Sequence, residues 1–325
     1  RVWTSCFGQV RLVGRAFDYV SFLLTAGMQL ARVMRAGDVV VAKTDPPLLS
    51  IVTTPLCKLR GAKSVNWLQD VFPEVAERLD LGQSRAARLC FAVLRRLRDA
   101  SLRAAHKNVV LGQLMQHHVE RLQIPASRIR QIPNWADGQA IKPVPPAENA
   151  LRTAWGLQGA FVVSHSGNLG RPHDGAPLLQ AIEKLGRSSA KGDNAFAPEA
   201  VSQNAAGSAT GRSCGPPAIR WLFIGGGSEF AEVEQACHEK RFTSAVFKPY
   251  QPRARLAESL SCADVHLVTL RPELEGLIVP SKVYGCMAAG RPILFVGARD
   301  GEVAQLITKH ACGWVIPPDD PEGLA

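Results

Sequence analysis

Short apolar runs rich in Val, Ile and Phe alternate along the chain with longer stretches of helical period, which predicts parallel sheets covered by helices rather than hairpins. In the first half the strand-like runs are Asp38 to Ala42, Lys63 to Trp67, Asn108 to Leu111 and Ile129 to Ile132. In the second half they are Ala160 to Ser164, Ile219 to Ile224, Ala245 to Phe247, Val265 to Val268, Pro292 to Val296 and Gly313 to Ile316. Between the two sets stand Ile132-Pro133-Asn134-Trp135 and a proline-rich run, Lys142-Pro143-Val144-Pro145-Pro146. The pattern predicts a first domain over 1–140, a linker over 141–155 and a second domain over 156–325.

Three segments depart from this alternation. Tyr19 to Ala31, inside a helix expected over residues 10–35, is apolar apart from Ser21, Thr25 and Gln29, with Arg11 and Arg15 before it and Arg32 and Arg35 after it. It is shorter than the roughly 20 apolar residues a membrane span needs, and fits either an interfacial or a buried helix. Over residues 84–106, Arg85, Arg88, Arg95, Arg96 and Arg103 fall beside Ala86, Leu89, Cys90, Val93 and Leu97, making a basic amphipathic helix that fits an anionic surface or a solvated face. Residues 187–218, rich in Ser, Ala, Gly and Asn, bury too little to order themselves and read as a disordered insertion between a helix at Ala176 to Leu185 and the strand at Trp221.

The chain has 325 residues, 46% of them hydrophobic and 20% charged, enough for two ordinary cores. Its eight cysteines stand apart with no CxxC or CxH pair, which argues against a structural zinc site or a disulfide framework and for reduced thiols in a cytosolic compartment. The net charge of +10 lies wholly in the first half: residues 1–150 hold 21 Lys and Arg against 11 Asp and Glu, and the rest hold 17 against 17. Such a one-sided field suits nucleic acid, anionic lipid, a pyrophosphate-bearing substrate or a merely solubilising surface. The opening Val2-Trp3 reads as a strand, and the chain stops where a helix should begin, so a truncation at both ends is expected.

Candidate chemistry sits where loops follow strands into helices, the place where open parallel sheets bind ligands. Val162-Val163-Ser164 leads into Ser166-Gly167-Asn168-Leu169-Gly170-Arg171; Leu222-Phe223-Ile224 leads into Gly225-Gly226-Gly227-Ser228; and Glu275 to Val279 leads through Pro280-Ser281-Lys282 into a helix ending before Gly290-Arg291-Pro292. Together these three predict a nucleotide-diphosphate site in which backbone amides, Arg171 and Lys282 meet phosphate charge. Neither GxGxxG nor GxxxxGK[ST] occurs, which speaks against NAD-dependent and ATP-hydrolysing readings.

The chain resembles a retaining glycosyltransferase of the family-four class, closest to the subgroup that builds capsule, colanic-acid and O-antigen repeats on a lipid carrier. The resemblance rests on Asp45-Pro46-Pro47, the run Asn66-Trp67-Leu68-Gln69-Asp70-Val71-Phe72-Pro73-Glu74, Ile132-Pro133-Asn134-Trp135, the run Ser166 to Gly170, Pro280-Ser281-Lys282-Val283-Tyr284-Gly285 and Ala288-Ala289-Gly290-Arg291-Pro292. It implies an α/β fold of two Rossmann-like domains facing across a cleft, the glycosyltransferase B-type fold, with the second domain holding a nucleotide-sugar donor. Gly167, Asn168, Gly170 and Arg171 would then face the diphosphate, Gly225, Gly226 and Gly227 the nucleoside, and Glu275 through Pro280, Ser281 and Lys282 the transferred sugar and phosphates. Neither a metal nor a cofactor is implied.

Asp70 is the expected polar group at the acceptor or reacting sugar, with an N-cap for the helix after Pro73 as its other reading. Glu275 is the second expected catalytic carboxylate. Two features depart from the wider family: Gly285 stands where a second glutamate contacts the donor ribose, and Asn168 stands where Arg is common with His173 or Asp174 near the usual Lys, leaving Arg171 as the substitute. His117 and His118 read as surface residues, and His165 as either a donor contact or a core histidine. The expected function is sugar transfer from a UDP-sugar to a lipid-linked saccharide at the cytoplasmic face of the membrane, with Arg85, Arg88, Arg95 and Arg96 toward anionic lipid or acceptor and no nucleic-acid partner. The alternatives are a nucleotide-sugar 2-epimerase on the same scaffold and a non-catalytic basic module for membrane or nucleic acid, which would leave the three loops unexplained.

Overall fold

The computed structural model describes residues 2–7, 12–81, 84–191 and 217–324, which divide into two units, each built on its own parallel sheet. The first unit comprises Arg1–Asn134 together with Glu273–Val279, a segment that belongs in sequence to the second half. Its elements run α1 (Leu12–Val33), β1 (Val39–Lys43), α2 (Leu49–Arg60), β2 (Lys63–Trp67), α3 (Glu74–Arg78), α4 (Arg85–Ala104), β3 (Lys107–Val110), α5 (Gln113–Glu120) and β4 (Ile129–Gln131). The strands pair in chain order, each parallel to the next, so every crossover carries a helix.

The sheet core of this unit mixes apolar and amide side chains. Val109, Val110 and Leu111 are buried beside Leu102 and Met115, while Asn66 Nδ2 donates to Asn108 Oδ1 at 3.0 Å and Asn108 Nδ2 to the Leu102 carbonyl at 3.0 Å. Buried amides persist in strands only when paired in this way. Ser84 caps α4 by accepting from Ala87 N at 3.1 Å, and Ser50 on α2 bonds Ser101 on α4 at 2.8 Å.

Val2 and Trp3 do not form the expected strand. Residues 2–7 lie along α1, where Ser5 N donates to Ser21 Oγ at 3.0 Å and Thr25 Oγ1 to the Trp3 carbonyl at 2.6 Å. Helix hydroxyls have taken the backbone groups that a sheet edge would otherwise pair.

The second unit, Trp135–Pro272 and Pro280–Ala325, carries α6 (Ala150–Ala154), β5 (Phe161–Asn168), α7 (Ala176–Lys191), β6 (Ile219–Gly226), α8 (Ser228–Glu239), β7 (Ala245–Lys248), α9 (Leu256–Leu260), β8 (Val265–Thr269), α10 (Lys282–Ala288), β9 (Ile293–Val296), α11 (Glu302–His310), β10 (Gly313–Ile316) and α12 (Pro321–Leu324). Strand order is β10-β9-β8-β5-β6-β7, all parallel, the doubly wound arrangement in which the order reverses between β5 and β8. Alternation along β6 fills both faces: Trp221 and Phe223 pack with Leu178, Ile182 and Val233, while Leu222 and Ile224 pack with Leu151, Leu157 and Val162. Phe247 stacks on Phe223 at 5.0 Å between ring centres.

A charged pin closes the amino-terminal end of this sheet. The buried Arg152 guanidinium holds both oxygens of Asp264 at 3.0 and 2.9 Å and also donates to the Cys262 carbonyl at 3.3 Å. Asp264 Oδ2 in turn accepts from Val162 N at 2.7 Å. The helix expected at Ala176 to Leu185 continues to Lys191, so the first residues of the expected insertion prolong α7, and 192–216 lie outside the described residues. No described helix is long and apolar enough to cross a membrane.

Candidate functional site

The carboxyl edge of the second sheet is built by backbone approach. β5 and β6 do not stop at Ser164 and Ile224; pairing continues through Gly167 opposite Gly225 and Asn168 opposite Gly226. Gly225 has φ 137° and Gly227 φ 128°, and a Cβ on them would lie 2.1 Å from the Gly167 carbonyl oxygen and 2.4 Å from that of Leu169. Only glycine permits this closeness. Leu169 N then donates to the Gly226 carbonyl at 2.8 Å, and His173 N to the Gly170 carbonyl at 2.9 Å, which fixes the turn carrying Asn168, Gly170 and Arg171. Arg171 is exposed at its rim.

Lys282, the first residue of α10, reaches this turn. Val283 N donates to the Pro280 carbonyl at 3.2 Å and Tyr284 N to that of Ser281 at 3.3 Å, so Pro280 and Ser281 bend the chain into the helix. Nζ of Lys282 stands 3.0 Å from His165 Nε2, 3.1 Å from the Asn168 carbonyl oxygen and 3.3 Å from His173 Nε2. The side chain as a whole is half-buried, but its amine end is enclosed, and desolvation lowers its pKa to about 7. His165, 1% exposed, is held well below the ordinary histidine range by burial and then by Lys282. The same two causes take His173 down to about 3.

Tyr250 completes what the sequence pattern missed. Tyr250 follows β7 and is 60% exposed, with its ring 3.2 Å from where a Gly225 Cβ would stand. An exposed aromatic beside a backbone floor offers a flat apolar face to a planar ligand. Its signal was legible only as one Tyr in Lys248-Pro249-Tyr250, with nothing to place it over the glycines. Gly285, on α10, faces Leu260 Cδ1 at 3.4 Å from its would-be Cβ, so a helix residue packed inward occupies that position.

The first unit gathers the two expected carboxylates. The segment Glu273–Val279 belongs to this unit and not to the one containing Pro280, Ser281 and Lys282, so the run expected at the donor is divided at Val279. Val71 N donates to the Leu277 carbonyl at 2.8 Å, and Asp70 forms an isolated antiparallel bridge with Ile278. Glu275, half-buried, is carried on the same segment. Asp70 does not cap α3, whose N-cap is Pro73 with no side-chain bond. Its backbone N–H, like that of Gln69, donates to Thr44 Oγ1, at 3.2 and 2.8 Å. The Asp70 side chain reaches solvent, yet crowding by the surrounding protein and then the Asp45 carboxylate raise its pKa to about 6 against the pull of Lys43.

Below it, Glu74 receives Arg98, whose guanidinium also donates to the Phe72 carbonyl at 3.2 Å, and His118 Nε2 approaches at 3.8 Å, an electrostatic contact rather than a hydrogen bond. Burial pushes Glu74 upward, but His118 and Arg98 outweigh it and hold the carboxyl at about 2. His118 therefore faces inward, unlike the surface position expected for it.

On α4, Arg85, Arg88 and Arg96 are exposed, and Leu89, Val93 and Leu97 are 68%, 47% and 46% exposed. Arg95 differs from the other three: it is ion-paired with Glu77. No group of three or more His, Cys, Asp or Glu among the described residues is placed to hold a metal ion.

No protein-family model matches the sequence. The chain is 30% identical over 317 residues to WbjE of Pseudomonas aeruginosa, assigned as a glycosyltransferase, covering 97% of this chain and 71% of that protein. It is 21% identical over 273 residues to WcaI of Escherichia coli K12, assigned as a colanic acid biosynthesis glycosyl transferase, covering 83% of this chain and 60% of that one. Among solved structures, sucrose-phosphate synthase from Thermosynechococcus elongatus matches with a TM-score of 0.70 at 16% identity, over 100% of this chain and 71% of its own. HepE of Anabaena, solved with UDP and glucose, matches with a TM-score of 0.67 at 16% identity, over 99% and 73%. At such identity the likeness to these structures is one of fold.

Proposed function

The chain belongs to the glycosyltransferase family that includes WbjE, and on that premise we propose that it moves a sugar from a UDP-sugar onto a lipid-linked saccharide in cell-surface polysaccharide biosynthesis, retaining anomeric configuration and needing no metal ion. The observation that carries the donor half of this reading is the meeting of an enclosed amine, Lys282, with the glycine-floored turn at the carboxyl ends of β5 and β6. Backbone amides, Arg171 and Lys282 suit a diphosphate, and the Tyr250 ring beside Gly225 and Gly226 suits a base. That HepE was solved with UDP supports the choice of UDP, and the assignment of WcaI supports a polysaccharide product.

In this reaction the bond from the anomeric carbon to the β-phosphate oxygen breaks, and negative charge grows on the departing diphosphate. Lys282 and Arg171 offset that charge, which is the largest service the protein can render to such a step. Asp70, with its raised pKa, attends the acceptor hydroxyl or reacting sugar, and Glu275 lies on the segment bridged to it. Arg85, Arg88 and Arg96, flanking the exposed Leu89, Val93 and Leu97, hold the first unit on anionic lipid at the cytoplasmic face.

The reading is tested by calorimetric titration of UDP and of GDP into the chain and into Arg171→Ala and Lys282→Ala. Saturable UDP binding that either substitution weakens roughly tenfold or more is expected from the loss of one charged contact. Folded protein that binds neither nucleotide would overturn the donor assignment.

A further inference from the structure

Helix α1 is apolar on more sides than its packing uses. Gly27 and Leu30, with Met34 just past the helix, turn toward α2: a Cβ on Gly27 would stand 2.8 Å from Val52 Cγ1, and Leu30 and Met34 pack with Cys57 and Ala62. A second face is polar. Asp18, Ser21 and Thr25, spaced three and four apart, hold the segment 2–7, with Ser5 Oγ and Phe7 N donating to Asp18 Oδ1 at 2.8 and 3.0 Å. Phe17, Val20, Leu24 and Met28, spaced in the same way, form a third face, and all four are more than half exposed. A helix in water carries polar residues on the side it leaves uncovered.

The bound segment widens this third face instead of covering it. Trp3 and Phe7 are themselves more than half exposed, and the Phe7 ring meets that of Phe17 edge to face at 6.1 Å between centres. Trp3 is tied through its carbonyl to Thr25, the chain neighbour of Leu24. Next to α1 lies α2, which packs on β1 and β2 and also against α4, so the layer over this sheet runs α1, α2, α4. Exposed apolar side chains therefore stand at both ends of one layer, with Leu89, Val93 and Leu97 on α4.

Charge selects what covers the strip on α1. Arg32 and Arg35 at its carboxyl end and Lys58 and Arg60 in the last turn of α2 are all exposed, against Asp38. A second copy laid on this face would set those cations against their own kind. A bilayer with anionic headgroups meets them and takes the apolar strip at the edge of its acyl region.

We propose that α1, with the segment 2–7 fixed along it, is a lipid-inserting helix that lies in the plane of the bilayer surface and buries Phe17, Val20, Leu24 and Met28 in its apolar margin. This rests on the membrane half of the reading above, which set only α4 against lipid. Each face alone holds too little, so loss of either releases the protein.

The test is sedimentation of the intact chain with vesicles of phosphatidylglycerol and phosphatidylethanolamine, beside its melting temperature and its mass in solution. Leu24→Ser with Met28→Ser should lower the partition roughly a hundredfold, because two apolar side chains no longer leave water. The melting temperature should stay within a few degrees. Gln29→Ser, on the side of α1 away from the strip, should leave the partition unchanged. The tryptophan emission that Trp3→Phe removes should be blue-shifted on vesicles and quenched by nitroxide-labelled lipid. If the α1 pair variant sediments like the unaltered chain, the proposal is overturned; if Leu89→Ser with Val93→Ser is released in the same assay, the α4 contact stands alone. A large fall in its melting temperature would show the strip packed within the folded protein, and a dimer that this variant dissolves would give the face to a second copy; either overturns the proposal. Unaltered chain that stays in the supernatant removes both membrane contacts.

Discussion

Asp70 is bridged to Ile278 in antiparallel fashion, two residues that lie more than two hundred positions apart in the chain and share the first unit. The bridge, with the 2.8 Å bond from Val71 N to the Leu277 carbonyl, carries Glu275 on a segment fastened beside the raised carboxyl of Asp70.

From this follows a pH dependence. With Asp70 at about 6, its ionised form is lost as pH falls below that value, so the transferase rate of the intact enzyme should show an acid limb centred near pH 6. Asp70→Asn should lower kcat by roughly a hundredfold or more and remove that limb from the residual rate. An unchanged profile in the Asn variant would take Asp70 out of the chemistry.

Gly225→Ala should be severely destabilising, because its Cβ would lie 2.1 Å from a backbone oxygen in a strand that cannot move independently of its neighbour, and at φ 137°. A loss of more than about 3 kcal/mol in urea unfolding is expected, beyond the roughly 1 kcal/mol range of ordinary surface substitutions.

Arg152→Met leaves the half-buried Asp264 carboxylate without its two-pronged partner. A cost of about 3 to 5 kcal/mol is expected from breaking one side of such a pair. Asp264→Asn in addition should recover part of it, which a double-mutant cycle by denaturant titration would read.

The buried histidines make stability fall on the acid side. His165, His173 and His266 have folded pKa values below the ordinary 6.5, so below pH 6.5 the unfolded chain takes protons that the folded chain refuses. Near pH 5 these three together should contribute a slope of about 4 kcal/mol per pH unit, lost toward acid. Lys282 acts with the same sign at higher pH: its folded value of about 7 lies below its ordinary 10.5, so its contribution to stability rises as pH goes from 7 to 10. Melting curves across pH should show both slopes, and Lys282→Met should flatten the upper one and, by removing the charge beside His165 and His173, also ease the acid one.

The membrane reading predicts that the intact chain sediments with vesicles containing anionic lipid and not with neutral ones. Leu89→Ser with Val93→Ser should abolish sedimentation while leaving the melting temperature within a few degrees, since both side chains are exposed. Retained sedimentation in that double variant would remove α4 from the contact.

Much of the fold was legible because parallel strands buried on both faces announce themselves as apolar runs, as Val265–Thr269 does to within one residue of its expected limits, while Lys63–Trp67 and Gly313–Ile316 coincide with theirs. The strand ends at Gly167 and Gly225 were not, since glycine reads as a turn until a partner strand is seen to pair with it. Lys282 and the glycine turn were read from sequence as loops of one site, but the contacts of the amine with His165 and His173 depend on β5 and α10 being brought together around β8, which periodicity does not encode. His173 and His118 face inward because of helix and turn geometry at Gly170 and along α5, and a histidine's side chain alone carries no sign of its direction. Arg95 looked equivalent to Arg96 on a helical wheel, and its ion pairs with Glu74 and Glu77 on a neighbouring helix separate them.

The glycine floor at β5 and β6 has an evolutionary reading. Where main chain lies within contact distance of main chain, point mutation has almost no neutral steps to take, so this part of the site is shielded from drift and equally barred from adaptation. On the donor reading proposed above, divergence in which nucleotide or sugar is accepted would be written at the rim, in the exposed Tyr250, Arg171 and Asn168.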